Sequence, residues 1–189
     1  LGVSKPERSD GRSFLPLLRG EKQEYRDFVI KEYNENAGRS RDPMRAIQSK
    51  THLYLFNPWS NGERIFATAT NGTVTCKRMI KLSEEDEEMN KRLELYRFRV
   101  PEELYQVNKD PDCLENLIHH PNHEKTKNKL MELLEEWMEK TNDPILECFR
   151  KRDDPEFVEA YIQKLEEEAN ARRIKEKPST KSKKEKKKS

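Results

Sequence analysis

Residues 44–60, MRAIQSKTHLYLFNPWS, hold the densest apolar run in the chain and stop it sharply at Asn57-Pro58-Trp59. Read with a period of two, Tyr54 and Phe56 share one face while Leu53 and Leu55 share the other. A strand over 44–56 that is apolar on both faces must lie inside a sheet and be covered from both sides. Pro58 has no donor for a ladder, so it ends the strand. This run forces a sheet on the chain, and everything else has to cover it.

The rest of the sequence is short of material for that task. Hydrophobic residues make up 32% and charged residues 39% of the 189, well to the polar side of globular averages. A chain this polar either leaves part of itself unpacked or rests its core against something else. It begins at Leu1 rather than Met, which points to a processed chain or a fragment. No run approaches the roughly 20 apolar residues of a membrane span, and no secretory leader is evident. Membrane is therefore not an expected partner.

Charge is divided unevenly. Residues 175–189 carry eight lysines and two glutamates, a local +6, and the remaining 30 basic and 34 acidic residues leave the body at −4. A lysine run without aromatics cannot bury enough area to offset its ordering entropy and is expected to be disordered. It could attract polyanions in a salt-sensitive way. It lacks the stacking or groove-reading groups of nucleic-acid recognition, so nucleic acid is not an expected partner. Cys76, Cys113 and Cys148 are far apart and odd in number. They encode neither a zinc ribbon nor a redox pair and are expected to be buried thiols.

Phe28-Val29-Ile30 with Tyr33 predicts a strand, and 34–43 (NENAGRSRDP) a polar loop. The run from Phe14 to Leu18 is too short and proline-broken for a stable helix. It reads as an apolar connector lying on a surface. Ile65, Ala67 and Ala69 alternate with Phe66, Thr68 and Thr70, predicting a partner strand that turns at Asn71-Gly72. Ser83, with Asp86 three residues on, predicts a helix start running to about Leu95. A short strand follows over 102–107. From about Pro121, Leu130, Met131, Leu134, Trp137 and Met138 recur at helical spacing up to Thr141-Asn142-Asp143-Pro144. Asp154-Pro155-Glu156 opens a last helix with the stripe Phe157, Val158, Tyr161, Ile162 and Leu165, which fades into EEEANARRIKEK.

Three ordered segments resemble the C-terminal region of the sulfatase family: DGRSFLPLLRGE, then PMRAIQSKTHLYLFN, then EELYQVNKDPDCLENLIHHP followed by the Trp137 helix and TNDP. The last block, with Glu103-Leu104-Tyr105, Asp110-Pro111 and Glu115-Asn116-Leu117, is the most specific. The order is most similar to the sulfamidase-like (heparan N-sulfatase) branch and covers roughly residues 1–150. The resemblance implies an α+β fold, a small antiparallel sheet packed against a long C-terminal helix. Residues 1–24 would connect from an N-terminal catalytic α/β domain, and 25–150 would form the subdomain. An additional amphipathic helix over 151–174 and the basic tail 175–189 lie beyond the match. The strand's second apolar face would meet the helix or the catalytic domain.

The same resemblance implies chemistry that this chain does not carry. Sulfatases use a formylglycine made within a Cys-x-Pro-Ser-Arg type motif, and a divalent, calcium-like metal held by carboxylates polarises the sulfate. Cys76 is followed by Lys-Arg-Met, Cys113 by Leu-Glu-Asn and Cys148 by Phe-Arg-Lys. Nucleophile and metal are thus expected in the catalytic domain, and this chain alone is expected to be inactive. Its expected partners are that domain and a sulfated carbohydrate, and export (periplasmic, secreted or lysosomal) follows from the family alone. The rival expectation is a non-catalytic interaction module, whose last helix and basic tail engage a protein or polyanion.

Candidate substrate contacts lie in the polar loop from Asn34 to Arg41 and at Arg45 just beyond it. Arg39, Arg41 and Arg45 carry the guanidinium that grips sulfate and carboxylate in bidentate fashion, and Asn34, Glu35 and Asn36 could bind sugar hydroxyls. The bland alternative is a solvated loop with Arg45 in a structural ion pair. His119, His120 and His123 form a tempting cluster, but Pro121 interrupts it and no ligand completes a metal set. His52 reads as a satisfied sheet residue. Tyr54 and Trp59 could stack on a sugar but are more typical of a core. Asn71-Gly72-Thr73 matches a glycosylation acceptor.

Overall fold

Ser49 breaks the long strand expected over 44–56 into two. Its amide donates to the His52 carbonyl at 2.8 Å, and its hydroxyl accepts from the amides of Thr51 and His52 at 3.3 and 3.0 Å. A serine-capped turn needs neither glycine nor proline. Strands β1 (Phe28–Tyr33), β2 (Met44–Ser49), β3 (Leu53–Phe56) and β4 (Glu102–Tyr105) therefore follow one another in space as in sequence. Every neighbouring pair is antiparallel. The computed structural model describes residues 13–22, 27–35 and 41–175. The Asp10-Gly11 turn, Asn36, Arg39 and the basic tail beyond Lys175 lie outside the described residues.

The helices are α1 (Leu15–Leu18), α2 (Val74–Ser83), α3 (Glu87–Phe98), α4 (Glu124–Lys140), α5 (Leu146–Arg150) and α6 (Pro155–Lys175). The register sets Ile47 opposite Tyr54 and Tyr54 opposite Leu104, so they share a face with Phe56. The expected apolar stripe of α4 covers that face through Leu130, Leu134 and Met138, and α5 adds Cys148 and Phe149. Phe149 meets Phe56 edge-on at 5.2 Å, an aromatic geometry favoured beyond simple area burial. This is the α+β arrangement expected: a small antiparallel sheet with a long helix laid across it. The outer face is less covered, with Val29 exposed and Leu53 and Leu55 half-buried.

Two expectations on the outer side are corrected. The partner strand over 65–70 does not form, because β4 takes the edge of β3 that it would need. Asn57 donates its amide to Pro101, steering the chain toward β4. The 61–67 segment bonds elsewhere: Phe66 to the Arg97 carbonyl and Ala67 to the Asp42 carboxylate. Nor does Ser83 start a helix. It ends α2, with its hydroxyl donating to Ile80, while Asp86 caps α3 by accepting from Met89 at 3.0 Å. The unexpected α2 is capped by Thr73, whose hydroxyl accepts from Cys76. Cys76, Met79 and Leu82 were its periodic signal.

The connector run is a single helical turn, α1, carrying Phe14, Leu15, Leu17 and Leu18, all exposed. α6 folds back on the body: Ile162 and Ala169 are buried, and the Tyr161 hydroxyl donates to the Pro144 carbonyl at 2.6 Å. Among the described residues no helix is long and apolar enough to cross a membrane.

Candidate functional site

The candidate substrate contacts lie in the loop between β1 and β2 and at Arg45 on β2, and the fold sorts the described ones into two groups. Arg45 points to the α4 face of β2, opposite Phe56, and is completely buried. Its Nε and Nη2 donate to the two oxygens of Asp143 at 2.6 and 3.0 Å. Nη1 reaches the carbonyls of Tyr33 and Met44, and Nη2 also meets the Asn34 side chain at 2.9 Å. Arg45 is thus saturated from within, in the structural ion pair that was its bland alternative, and Asn34 serves it.

Glu35 and Arg41 form the second group, at the surface. Arg41 Nε donates to Glu35 at 3.2 Å, and Arg172 of α6 donates to the same oxygen at 2.7 Å. These guanidiniums, Arg172 first, hold the Glu35 carboxyl below its usual range. Arg41 Nη1 also lies 3.5 Å from Glu168. Next door, Arg64 grips Glu159 with both Nη atoms at 2.7 and 2.6 Å and reaches Glu166 through Nε at 3.1 Å. A cleft of about 230 Å3 lies among them, lined by Arg41, Asp42, Arg64, Asn170 and Arg173. Burial pushes the Asp42 carboxyl up, against the hydrogen bond it accepts from Ala67.

Arg64, Asp42 and the α6 residues were missed as site members. The α6 end carries no apolar stripe, and its partners lie 95 to 137 positions away in sequence, so no local spacing exposes them.

The histidines gather differently from the sequence expectation. His52 sits in the β2–β3 turn, not in a strand, and its Nε2 meets His123 Nδ1 at 3.2 Å. His120 packs edge-on to His123 at 5.1 Å. Among the described residues, no three His, Cys, Asp or Glu side chains come together to hold a metal. Burial first, then His123 and Lys109, lower the His52 pKa below its ordinary value of 6.5. The folded state therefore binds this proton less readily than the unfolded one, and stability is lost as pH falls through about 6.5. The urea midpoint is expected to drop between pH 7.5 and 5.5, and His52→Gln to flatten that slope. Parallel slopes for the two proteins would remove His52 from the account.

Other candidates have structural employment. Trp59 is fully buried and stacks on Phe66 at 5.2 Å; Tyr54 is core. Asn71 uses both ends of its amide, donating to Phe66 and accepting from Tyr96, each at 2.8 Å. Cys76 and Cys148 are buried free thiols and Cys113 is half-buried. Burial pushes the Cys148 thiol up to about 12, far from the range of a nucleophile.

No family model matches the chain. Over 150 residues, 77% of its length, the chain is 30% identical to an ulvan-active sulfatase of Formosa agariphila. This similarity supports the sulfatase family. The chain spans only 28% of that sulfatase. Among solved structures it is similar to a 2-O GAG sulfatase, with 22% identity and a TM-score of 0.48 over 75% of this chain and 22% of that one. A protein solved in complex with its substrate D-glucosamine-2-N,6-O-disulfate gives 19% identity and a TM-score of 0.47, over 76% and 22%.

Proposed function

We propose that this chain is the C-terminal, non-catalytic part of a sulfatase that hydrolyses sulfate esters or sulfamates of sulfated carbohydrate. The observation that carries the reading is the 30% identity over 150 residues to an ulvan-active sulfatase of which the chain spans 28%. The narrower, sulfamidase-like assignment rests on the order of the three sequence segments. In this reading the nucleophile, a formylglycine, and a calcium-like divalent metal belong to an upstream catalytic domain, and the protein is exported.

The chain's own part is to support that domain and to line one side of its pocket. The apolar side chains of α1 and the half-covered outer face of the sheet are the surfaces a catalytic domain would cover, since exposed apolar groupings mark contact sites. Arg41, with Glu35 beside it, is the surface group suited to a sulfated sugar. Arg39 and Asn36 belong to the same proposed contact. Arg45 and Asn34 would act from beneath, by fixing the end of β1 against the start of β2.

The test begins with the coding DNA upstream of the Leu1 codon. A long in-frame domain containing Cys-x-Pro-Ser-Arg and paired aspartates is expected; a nearby stop codon would end the reading. In the whole protein, Arg41→Ala should then raise KM for a sulfated substrate roughly tenfold with little change in kcat, as expected when a charged binding contact is lost equally from ground and transition states. An unchanged KM would take Arg41 out of the pocket.

A further inference from the structure

We propose that Glu166 and Glu168 of α6 act as built-in carboxylate competitors, occupying the guanidiniums that an anionic sugar would need. The inference rests on the reading of the β1–β2 loop as a carbohydrate contact and adds to it a regulatory role for the last helix.

A guanidinium fork accepts carboxylate and sulfate by the same paired geometry. Two of the three arginines around the cleft are presented with such carboxylates by one stretch of α6: Glu166 to Arg64 and Glu168 to Arg41. Each makes a single contact, 3.1 Å to Arg64 Nε and 3.5 Å to Arg41 Nη1; Glu159, two turns earlier on the helix, takes both Nη atoms of Arg64, and Glu35 takes Arg41 Nε. A sulfated or carboxylated sugar entering between Arg41 and Arg64 would have to displace the acids already there.

Displacement is easy by design of the contacts. The Glu166 and Glu168 side chains are 43% and 51% exposed, and ion pairs at that exposure are individually weak and screened by salt. The helix itself is anchored independently of these glutamates, by buried Ile162 and Ala169 and by the Tyr161 bond to Pro144. Exchange therefore requires glutamate side chains to swing away, not α6 to leave the body. A polyanion with several sulfates could outcompete the glutamates where a single small anion would not, because linked groups gain effective concentration.

The test compares the full chain with Glu166→Gln/Glu168→Gln, titrated calorimetrically with a heparin hexasaccharide at low and physiological salt. The lysine tail is common to both and cancels. Glu156→Gln/Glu167→Gln removes the same charge from α6 positions outside the cleft and controls for global attraction. Neutralising Glu166 and Glu168 should tighten binding about five- to tenfold, well beyond the control pair, and Arg41→Ala should abolish the gain. Equal affinities for the two double variants would overturn the competition. In that event, weaker binding by Arg41→Ala alone leaves the loop as a carbohydrate contact. If Arg41→Ala changes nothing in any background, the contact falls along with the competition.

Discussion

Asp143→Ala is expected to cost about 3–5 kcal/mol of folding free energy, the usual penalty for leaving one member of a buried ion pair without its partner. Arg45 is wholly inside, and four of its five hydrogen bonds are shared between Asp143 and two backbone carbonyls. Removing the carboxylate strands a permanent cation that cannot shed its proton. Asp143 also accepts from the Ile145 amide at 3.0 Å, so the turn before α5 loses a hydrogen bond as well. Set against the 5–15 kcal/mol typical of a domain, the variant should be close to unfolding. Arg45→Met/Asp143→Leu, which replaces the pair by apolar groups of similar size, should recover much of the loss. Urea unfolding followed by circular dichroism supplies all the numbers. A loss under 1 kcal/mol for Asp143→Ala, with no recovery in the double variant, would show that the pair is not what joins β2 to the end of α4.

That pair also marks the limit of what the sequence could reveal. The α4 stripe was legible because its apolar spacing is local and long, and the β3 face because Tyr54 and Phe56 alternate with leucines. That an antiparallel sheet packs on that long helix was implied by the resemblance to the sulfatase C-terminal region, not by either pattern. The β2–β3 turn was hidden because Ser49 makes it with a hydroxyl and two backbone amides, leaving no glycine or proline as punctuation. The alternation over 65–70 was real, but β4 had the stronger claim on the β3 edge, and only tertiary structure decides such a competition. At the site, residue types were readable and destinations were not. Whether an arginine at the start of a strand faces solvent or the core depends on a one-residue register, and the register of β2 turns Arg45 inward. Arg41 gains its neighbours from α6, whose charged end offered no periodic signal.

Glu103→Ala is expected to cost about 3 kcal/mol, from several buried donors losing their acceptor at once. Glu103 is fully buried on the outer face of β4. One oxygen accepts from Asn57 at 2.6 Å and Arg99 Nε at 2.7 Å, and the other from the Tyr105 hydroxyl at 2.6 Å and Arg99 Nη2. Arg99 follows α3 with φ of 50°, a conformation costly for a residue with a side chain, and the clasp of Glu103 helps to hold it there. Asn57 in turn donates to Val100, so one carboxylate ties the end of β3 to the corner between α3 and β4. With alanine, the Tyr105 hydroxyl remains indoors unpaired and the Asn57 amide keeps only its bond to Val100, while Arg99, only partly buried, can turn to water. Glu103→Gln keeps the shape but brings its own amide hydrogens into a ring of donors, so it should cost less, about 1–2 kcal/mol. Hydrogen exchange adds the location: the Asn57 and Arg99 amides, bonded to Pro101 and Leu95, should lose protection before those of β2. Uniform loss across the sheet, or equal costs for the two variants, would mean that the carboxylate is merely accommodated and that the corner is held by packing around Trp59.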